Sequence, residues 1–318
     1  MKIALTGVTG FVGRAVILAL MAKDNQVSAL VRDPSRANLA SGVRQVQGDL
    51  QNSVALDDLT EDADVVIHIA GVIGARSRDD FFVANEQGTR ALAEAASRNG
   101  VKRFVHISSL SAREPHLSAY GASKSAGEIA LKSFGAKMAI VVLRPPAVYG
   151  PSDTGTFPLL RALTQAIAVI PSNSKARFSL IYVNDLARII VEAAGATKTG
   201  VIELDDGQRL GYDWMELVRI ASASEQRSIT PFFLPKSIAM SVAVIIEAFA
   251  KARGRLPFIS RDKIRQLYHW DWLAKGDGWP LEEPVGFAQG FKTTVDWYRQ
   301  EQWLPQRRSA TNKQKIVT

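Results

Sequence analysis

Short apolar runs rich in valine, isoleucine and leucine alternate with segments of helical period over the first half of the chain. The runs are "KIALT" (2–6), "QVSALV" (26–31), "VRQVQ" (43–47), "ADVVIHIA" (63–70), "KRFVHIS" (102–108) and "MAIVVLR" (138–144). Too short for helices and rich in β-branched side chains, they predict strands. Between them, helical spacing predicts helices near 11–23, 53–60, 79–99 and 119–135. Strands that are apolar on both faces need cover on both faces. The alternation therefore predicts an α/β fold, a doubly wound parallel sheet whose ligand crevice lies beyond the carboxyl ends of its strands.

Beyond Pro151 the pattern loosens. "FSLIYV" (178–183) and "GVIELDDG" (200–207) read as further strands, and "NDLARIIVEAAGA" between them reads as a helix with Asp185 in its first turn. "YDWMELVRIAS" opens another helix, with Asp213 three residues before Glu216, close to a capping-box spacing. From about 206 to 305 the strand signal is weaker and tryptophans are concentrated. The expected division is a first α/β domain over 1–151 and a smaller, mostly helical part over 152–305 that covers the substrate. Residues 177–205 are expected to return to the first sheet, and 306–318 to form a flexible basic tail. The longest apolar stretch, "SIAMSVAVIIEAFAKARG" (237–254), falls short of the ~20 residues that span a bilayer. It reads as a buried or lid helix, with peripheral membrane contact as the lesser reading.

Composition narrows the chemistry. The chain has 318 residues, 47% hydrophobic and 22% charged, enough for a sizeable core. The absence of cysteine excludes disulfides, thiolate nucleophiles and cysteine–zinc sites. No His-Glu-x-x-His occurs and histidines do not cluster with carboxylates, so no metal is expected. His68 and His106 lie inside strand runs and read as satisfied core residues. The formal charge of +8 falls partly in "PQRRSATNKQKIVT", and no basic run interleaved with aromatics points to nucleic acid. "MKIALTG" opens without a signal-peptide pattern, so the expected location is cytoplasmic.

The first strand runs straight into "TGVTGFVGRAV". Gly7 permits the sharp turn, Gly10 lets backbone approach a pyrophosphate, and Gly13 allows close helix–strand packing. The backbone of Gly7, Thr9, Gly10, Phe11, Val12 and Gly13 then cradles phosphates at a helix N-terminus, the mark of a Rossmann-type dinucleotide site. The second strand ends in Arg32, with Asp33 next and Arg36 close behind. Two guanidinium groups suit the extra phosphate of NADP, whereas a carboxylate at Asp33 would hold the ribose of NAD. NADP is the expected cofactor.

Taken in order, the motifs resemble the extended short-chain dehydrogenase/reductase family, with its NAD(P)-dependent epimerase/dehydratase-like members. The resemblance covers about residues 2 to 205. It rests on "TGVTGFVG", "GDL" (48–50), "HIAG" (68–71), "NEQGT" (85–89), "ISSLS" (107–111), "YGASK" (120–124), "LRPPAVYGP" (143–151) and "YVNDLA" (182–187). In style it is nearest to dihydroflavonol reductase-like and 3β-hydroxysteroid dehydrogenase-like members, and to bacterial relatives of a complex I accessory subunit. It implies that Asp49 bonds the adenine beside Leu50, that Ala70 and Gly71 line the cofactor, and that Pro145 and Val148 line the nicotinamide. It also implies that Asn85 orients a water near the lysine, that Ser109 is the catalytic hydroxyl, and that Tyr120 and Lys124 are the catalytic pair. Ser108 and Ser111 compete for the hydroxyl role. A homodimer is expected on the same ground.

The chemistry of the residues agrees. Residues four apart share a helix face, so Tyr120 and Lys124 can point into one cleft. A nearby ammonium is expected to lower the phenol from its ordinary value near 10. Tyr120 then moves a proton to or from the substrate oxygen while hydride moves between nicotinamide and carbon. Sugar 4,6-dehydratases of the family follow the Ser/Thr with Asp-Glu; here those positions are Leu110 and Ser111, which removes the acid and base for dehydration. The reading is an NADP-dependent oxidoreductase acting on a ketone or secondary alcohol of a small apolar substrate. The pocket is expected from 71–77, 145–160 and the 237–254 helix. The runner-up is a nucleotide-sugar epimerase using bound NAD, with Arg76, Arg161 and Arg177 available for a diphosphate. A non-catalytic NADP(H)-binding accessory protein is the third. Tyr120→Phe is expected to abolish turnover while cofactor binding, measured by fluorescence titration, persists; normal turnover would contradict the assignment.

Overall fold

The computed structural model describes residues 1–257 and 259–306, so the basic tail from Arg307 onward lies outside the described residues. The chain opens with β1 (Lys2–Thr6), α1 (Phe11–Met21), β2 (Gln26–Val31), α2 (Pro34–Ala37), β3 (Arg44–Gln47), α3 (Ser53–Thr60) and β4 (Val65–His68). α4 (Arg78–Phe82) passes through one π-helical turn, Val83–Gln87, into α5 (Gly88–Arg98). β5 (Arg103–Ile107), α6 (Ala119–Leu131), β6 (Ala139–Arg144) and β7 (Ala147–Tyr149) follow. Next come α7 (Phe157–Ala162), β8 (Ile167–Ile170), β9 (Arg177–Phe178), β10 (Leu180–Tyr182), α8 (Val183–Gly195) and β11 (Gly200–Glu203). The chain closes with β12 (Tyr212–Asp213), α9 (Trp214–Glu225), β13 (Thr230–Phe233), α10 (Lys236–Ala252), α11 (Arg261–Leu267), β14 (Asp271–Trp272) and α12 (Phe287–Gln300).

Seven strands form one parallel sheet in the order β11-β6-β5-β4-β1-β2-β3. The order reverses between β1 and β4, and a crevice opens beyond their carboxyl ends. Alternate strand residues serve the two faces. Ile3, Leu5, Ile67 and Val105 pack with Val16, Ile17 and Leu20 of α1 and Leu186, Ile189 and Ile190 of α8. Ala4, Val66, Phe104 and Val142 face the other way, onto Leu56 and Leu59 of α3, Leu92 of α5 and Leu131 of α6. Each such side chain contributes about 1.5–3 kcal/mol by leaving water, so two apolar faces hold two helical layers firmly.

A separate core forms where the later elements meet. Tyr149, Phe178, Trp214 and Leu217 pack there with Phe287, Phe291, Val295 and Tyr298 of α12. The strand expected over 178–183 is in fact two, and neither enters the large sheet. β10 pairs with β7, while β9 lies between β12 and β14. The switch falls at Ser179, whose backbone N–H donates to Trp272 and whose Oγ accepts from the Ala274 N–H. Only β11 of the 177–205 stretch joins the main sheet, beside β6.

The apolar stretch expected to be a buried or lid helix is α10, and burial is confined to Ala239 and Ala243. Small residues let it sit close on Ile264 of α11, and its bulky side chains face outward. Asp213 caps α9 by accepting from the Glu216 N–H at 2.9 Å, at the spacing the sequence suggested.

Candidate active site

A cleft of about 960 Å³ opens at the carboxyl ends of the strands, walled by the glycine turn on one side and by α11 and β14 on the other. Gly7 has φ of +79° and packs against Ala70 so closely that a Cβ would lie 2.6 Å from the Ala70 nitrogen. A Cβ on Gly13 would collide with the Gly7 carbonyl. The two glycines bring β1, β4 and α1 together, and α1 begins at Gly10 with no side-chain cap. Its free N–H groups and the bare backbone of Thr9, Gly10, Phe11, Val12 and Gly13 line the cleft, a surface that fits a pyrophosphate.

The remaining predicted cofactor residues sort by position. Arg32, Asp49, Leu50, Ala70, Gly71, Pro145 and Val148 line the cleft. Arg36 does not: its side chain is exposed, 4.0 Å from Asp33. Asp33 itself accepts from the Ser35 N–H at 3.1 Å and the Ser35 hydroxyl at 2.6 Å, capping α2. Asp49 accepts from the Gln51 N–H at 2.9 Å.

Tyr120 stands in the first turn of α6, and Lys124 one turn on is 4% exposed. The Lys124 Nζ donates to the Ile107 carbonyl at 2.6 Å, where β5 ends. Burial lowers the lysine to about 8, and the nearby Glu128 carboxylate opposes that shift. Burial pushes the Tyr120 phenol up, against a hydrogen bond with Ser109 that lowers it. The direction is therefore the opposite of the expected lowering: desolvation of the phenolate dominates. A phenol held protonated is able to donate a proton.

The three serines differ in their surroundings. Ser108 is buried and its hydroxyl donates to Glu128. Ser109 and Ser111 both line the cleft, and the Ser109 Oγ accepts from the Ser111 N–H at 3.1 Å while bonding Tyr120. Gly121 is required by proximity, since a Cβ would lie 2.5 Å from the Ser111 carbonyl oxygen.

Asn85 lies in the π turn, 1% exposed. Its Oδ1 accepts from the Val72 N–H at 2.8 Å, and its Nδ2 donates to the Val72 carbonyl at 3.0 Å and the Ser123 hydroxyl at 2.9 Å. It clamps the Gly71–Val72 wall onto α6, a positioning role. His68 is satisfied, with ring nitrogens 2.7 Å from the Thr6 hydroxyl and 3.0 Å from that of Thr89, and burial and Lys124 lower it to about 3. His106 departs from the expectation of a satisfied histidine. Its ring nitrogens have no hydrogen-bond partner among the described residues; its ring stacks on His68 at 5.3 Å, and burial holds it far below its ordinary value.

A chain of charges escaped the sequence reading. Glu128 of α6 accepts from Arg144 at 2.9 and 2.6 Å; Arg144 reaches Glu203 at 3.3 Å; Glu203 accepts from Arg113 at 2.9 Å and the Lys275 N–H at 2.9 Å. Arg113 also donates to the carbonyls of Leu273 and Asp271 at 2.7 and 2.9 Å. At the other end of the motif, the Ala119 N–H donates to Asp262 at 2.8 Å and Gln266 donates to the Ser118 hydroxyl at 2.7 Å, so α11 holds the start of the helix that carries Tyr120. These residues are scattered in sequence, and only folding assembles them. The expected pocket segments also shift. Residues 71–73 and much of 145–159 line the cleft, but Lys263, Gln266 and Leu267 of α11 replace the 237–254 helix. Among the described residues no group of three or more His, Cys, Asp or Glu is placed to hold a metal.

The sequence pattern of the NAD dependent epimerase/dehydratase family matches residues 3–203. The chain belongs to that family. It is an NAD(P)-dependent oxidoreductase of the extended short-chain dehydrogenase/reductase type. It is 37% identical over 309 residues to a ceramide reductase of Caulobacter vibrioides (strain NA1000 / CB15N), covering 95% of this chain and 96% of that one. It is 31% identical over 180 residues to the 4-hydroxy-2-methyl-3-oxo-4-farnesyl-3,4-dihydroquinoline-1-oxide ketoreductase of Stigmatella aurantiaca, covering 50% of this chain and 54% of that one. Among solved structures, UDP-N-acetylglucosamine 4-epimerase from Methanobrevibacter ruminantium M1 aligns with a TM-score of 0.72 at 20% identity, over 94% of this chain and 98% of that one, a likeness of fold.

In this family member the dinucleotide, when bound, supplies hydride chemistry at its nicotinamide. The chain's own residues for the rest of such chemistry stand in one cleft: the glycine turn, Ser109 and Tyr120 all line it, and we propose that they hold phosphate, hold the substrate oxygen and pass it a proton, respectively. Lys124 keeps a positive charge beneath them. We propose that reduction needs both Tyr120 and Lys124 protonated; kcat/KM should then be level at neutral pH and fall as pH rises through about 8. A pH profile that stays level to the ordinary lysine value of 10.5, or that rises with pH, would contradict this.

Proposed function

We propose that the protein is an NADP-dependent reductase of a ketone on an apolar, ceramide-type lipid. The observation that carries this reading is the substrate wall of the cleft, where Leu159, Phe178, Trp214, Leu267 and Trp272 gather. Lys263 is the one Lys or Arg on that wall among the described residues, with His269 beside it. A sugar nucleotide calls for several cationic contacts to its diphosphate. Arg76, Arg161 and Arg177 do not line the cleft, and Arg177 is committed to the Leu210 carbonyl at 2.7 Å and to Asp213. Similarity over nearly the full length to a ceramide reductase points the same way.

NADP is supported by the second strand's end. Arg32 faces the cleft, whereas Asp33, the group that would hold an NAD ribose, is engaged by Ser35. We assign dinucleotide binding to residues 1–151 and substrate covering to 152–305. A cytoplasmic location and a homodimer belong to the same proposal, supported by the sequence reading. Against a purely structural accessory role stands the assembled set of Ser109, Tyr120 and Lys124, which such a role does not require.

The test is oxidation of NADPH and NADH, followed by absorbance, with a detergent-dispersed ceramide-type ketone and with UDP-glucose. The expected result is turnover of the lipid ketone with NADPH, and none with UDP-glucose. Arg32→Ala should raise the KM for NADPH about tenfold or more, as loss of a charged hydrogen bond of ~1.5–3 kcal/mol implies, and leave that for NADH unchanged. Tightly retained NAD with interconversion of UDP-sugars would overturn the reading.

A further inference from the structure

α10 is amphipathic in an inverted sense. Its buried side is small, Ala239 and Ala243, and packs on Ile264 of α11. Its solvent side carries Ile238, Val242, Ile245 and Phe249, at 51%, 42%, 56% and 60% exposure. These recur at steps of four, three and four, one stripe on a helix. Val244, away from the stripe, is also exposed. A contiguous apolar face of this kind marks a contact with something apolar.

The charges around the stripe say what that is. Lys236 begins the helix, Lys251 lies in its last turn, and Arg253 and Arg255 follow; all four are exposed. The helix has one acidic residue, Glu247, which turns away and accepts from the Arg261 N–H and Nε at 2.7 Å each. Hence no carboxylate sits on the outward face. Just before α10, Phe232 of β13 pairs in register with Val169 of β8, and both are exposed, as is Ile167. Bulky apolar residues framed by cations, with no anion among them, fit a surface of acyl chains beneath negative headgroups. No helix among the described residues is long and apolar enough to cross a membrane, so the contact is with the surface.

We propose that α10 is a membrane-docking helix. It lies in the interface of an anionic bilayer with Ile238, Val242, Ile245 and Phe249 toward the acyl chains, and with Lys236, Lys251, Arg253 and Arg255 on headgroup phosphates. Position gives the contact a use. α11, on which α10 rests, supplies Lys263, Gln266 and Leu267 to the cleft and holds the N-terminus of α6 through Asp262 and Gln266. The docked face is thus one helix away from the substrate wall. That a lipid ketone enters the cleft from the bilayer rests on the function proposed above; the docking itself does not.

Flotation of the full chain with vesicles tests the proposal, using equimolar phosphatidylglycerol and phosphatidylcholine or phosphatidylcholine alone. The protein should float with the anionic vesicles, less so with neutral ones, and less as salt is raised. Ile245→Glu/Phe249→Glu should cut flotation at least tenfold, and Lys251→Gln/Arg253→Gln/Arg255→Gln should abolish the preference for anionic lipid. Because these side chains are exposed, both variants should keep the wild-type melting temperature and reduce detergent-dispersed ketone at the wild-type rate. Wild-type protein that stays at the bottom with both vesicles, or variants that float equally well, would overturn the docking. A dimer in size-exclusion chromatography that Ile245→Glu/Phe249→Glu disperses, without flotation, would assign the face to a second copy instead. Absent flotation with intact ketone reduction removes the docking and leaves the function; flotation without reduction does the reverse.

Discussion

A single buried ammonium organises this molecule. Lys124 sits beneath the cleft, out of water, with its Nζ on the Ile107 carbonyl. Desolvation alone would strip its proton at moderate pH, and the nearby Glu128 carboxylate works against that. The neighbours conform to the charge. His68 and His106, within its field and fully buried, are pushed far down and stay neutral. Gly71 has a bare backbone where a Cβ would lie 3.6 Å from Nζ and 2.7 Å from the Asn85 oxygen. One cation is accommodated, and competing cations are excluded.

From Glu128 the charges run outward through Arg144, Glu203 and Arg113 to the backbone of Asp271 and Leu273. Buried ion pairs add little net stability when whole, but removing one partner costs about 3–5 kcal/mol. Such a chain therefore fixes register. It ties α6, the carboxyl ends of β6 and β11, and the segment that completes the substrate wall. With α11 gripping the start of α6, Tyr120 is held from both ends of its helix. Asn85 adds a third tether through Ser123, and it does so from a π turn, where the extra residue alters which side chains face inward.

The sheet was legible because its strands are apolar on both faces, and the six runs of the first half all formed strands. The glycine turn was legible for the same kind of reason: each glycine answers a local steric demand. Motif order pointed to Ser109, Tyr120 and Lys124, which the fold brings to one cleft, while the Ser108 hydroxyl is turned to Glu128, a difference that no local pattern marks. Arg36 was misplaced, because nearness in sequence to a strand end does not fix where a long side chain points. The helix over 236–252 was misread because apolar composition was taken to mean burial; only Ala239 and Ala243 are buried, and its large side chains are not. The Glu128–Arg144–Glu203–Arg113 chain joins positions up to 90 residues apart, as with Arg113 and Glu203, and pairwise charge complementarity at that range leaves no mark on the sequence.

The central claim is that Lys124 is a desolvated cation with a lowered affinity for its proton. Lysine labelled with ¹³C at Cε, assigned by comparison with Lys124→Met, reports this directly by NMR titration. The account predicts a midpoint at about 8. A midpoint at the ordinary lysine value of 10.5 would contradict it.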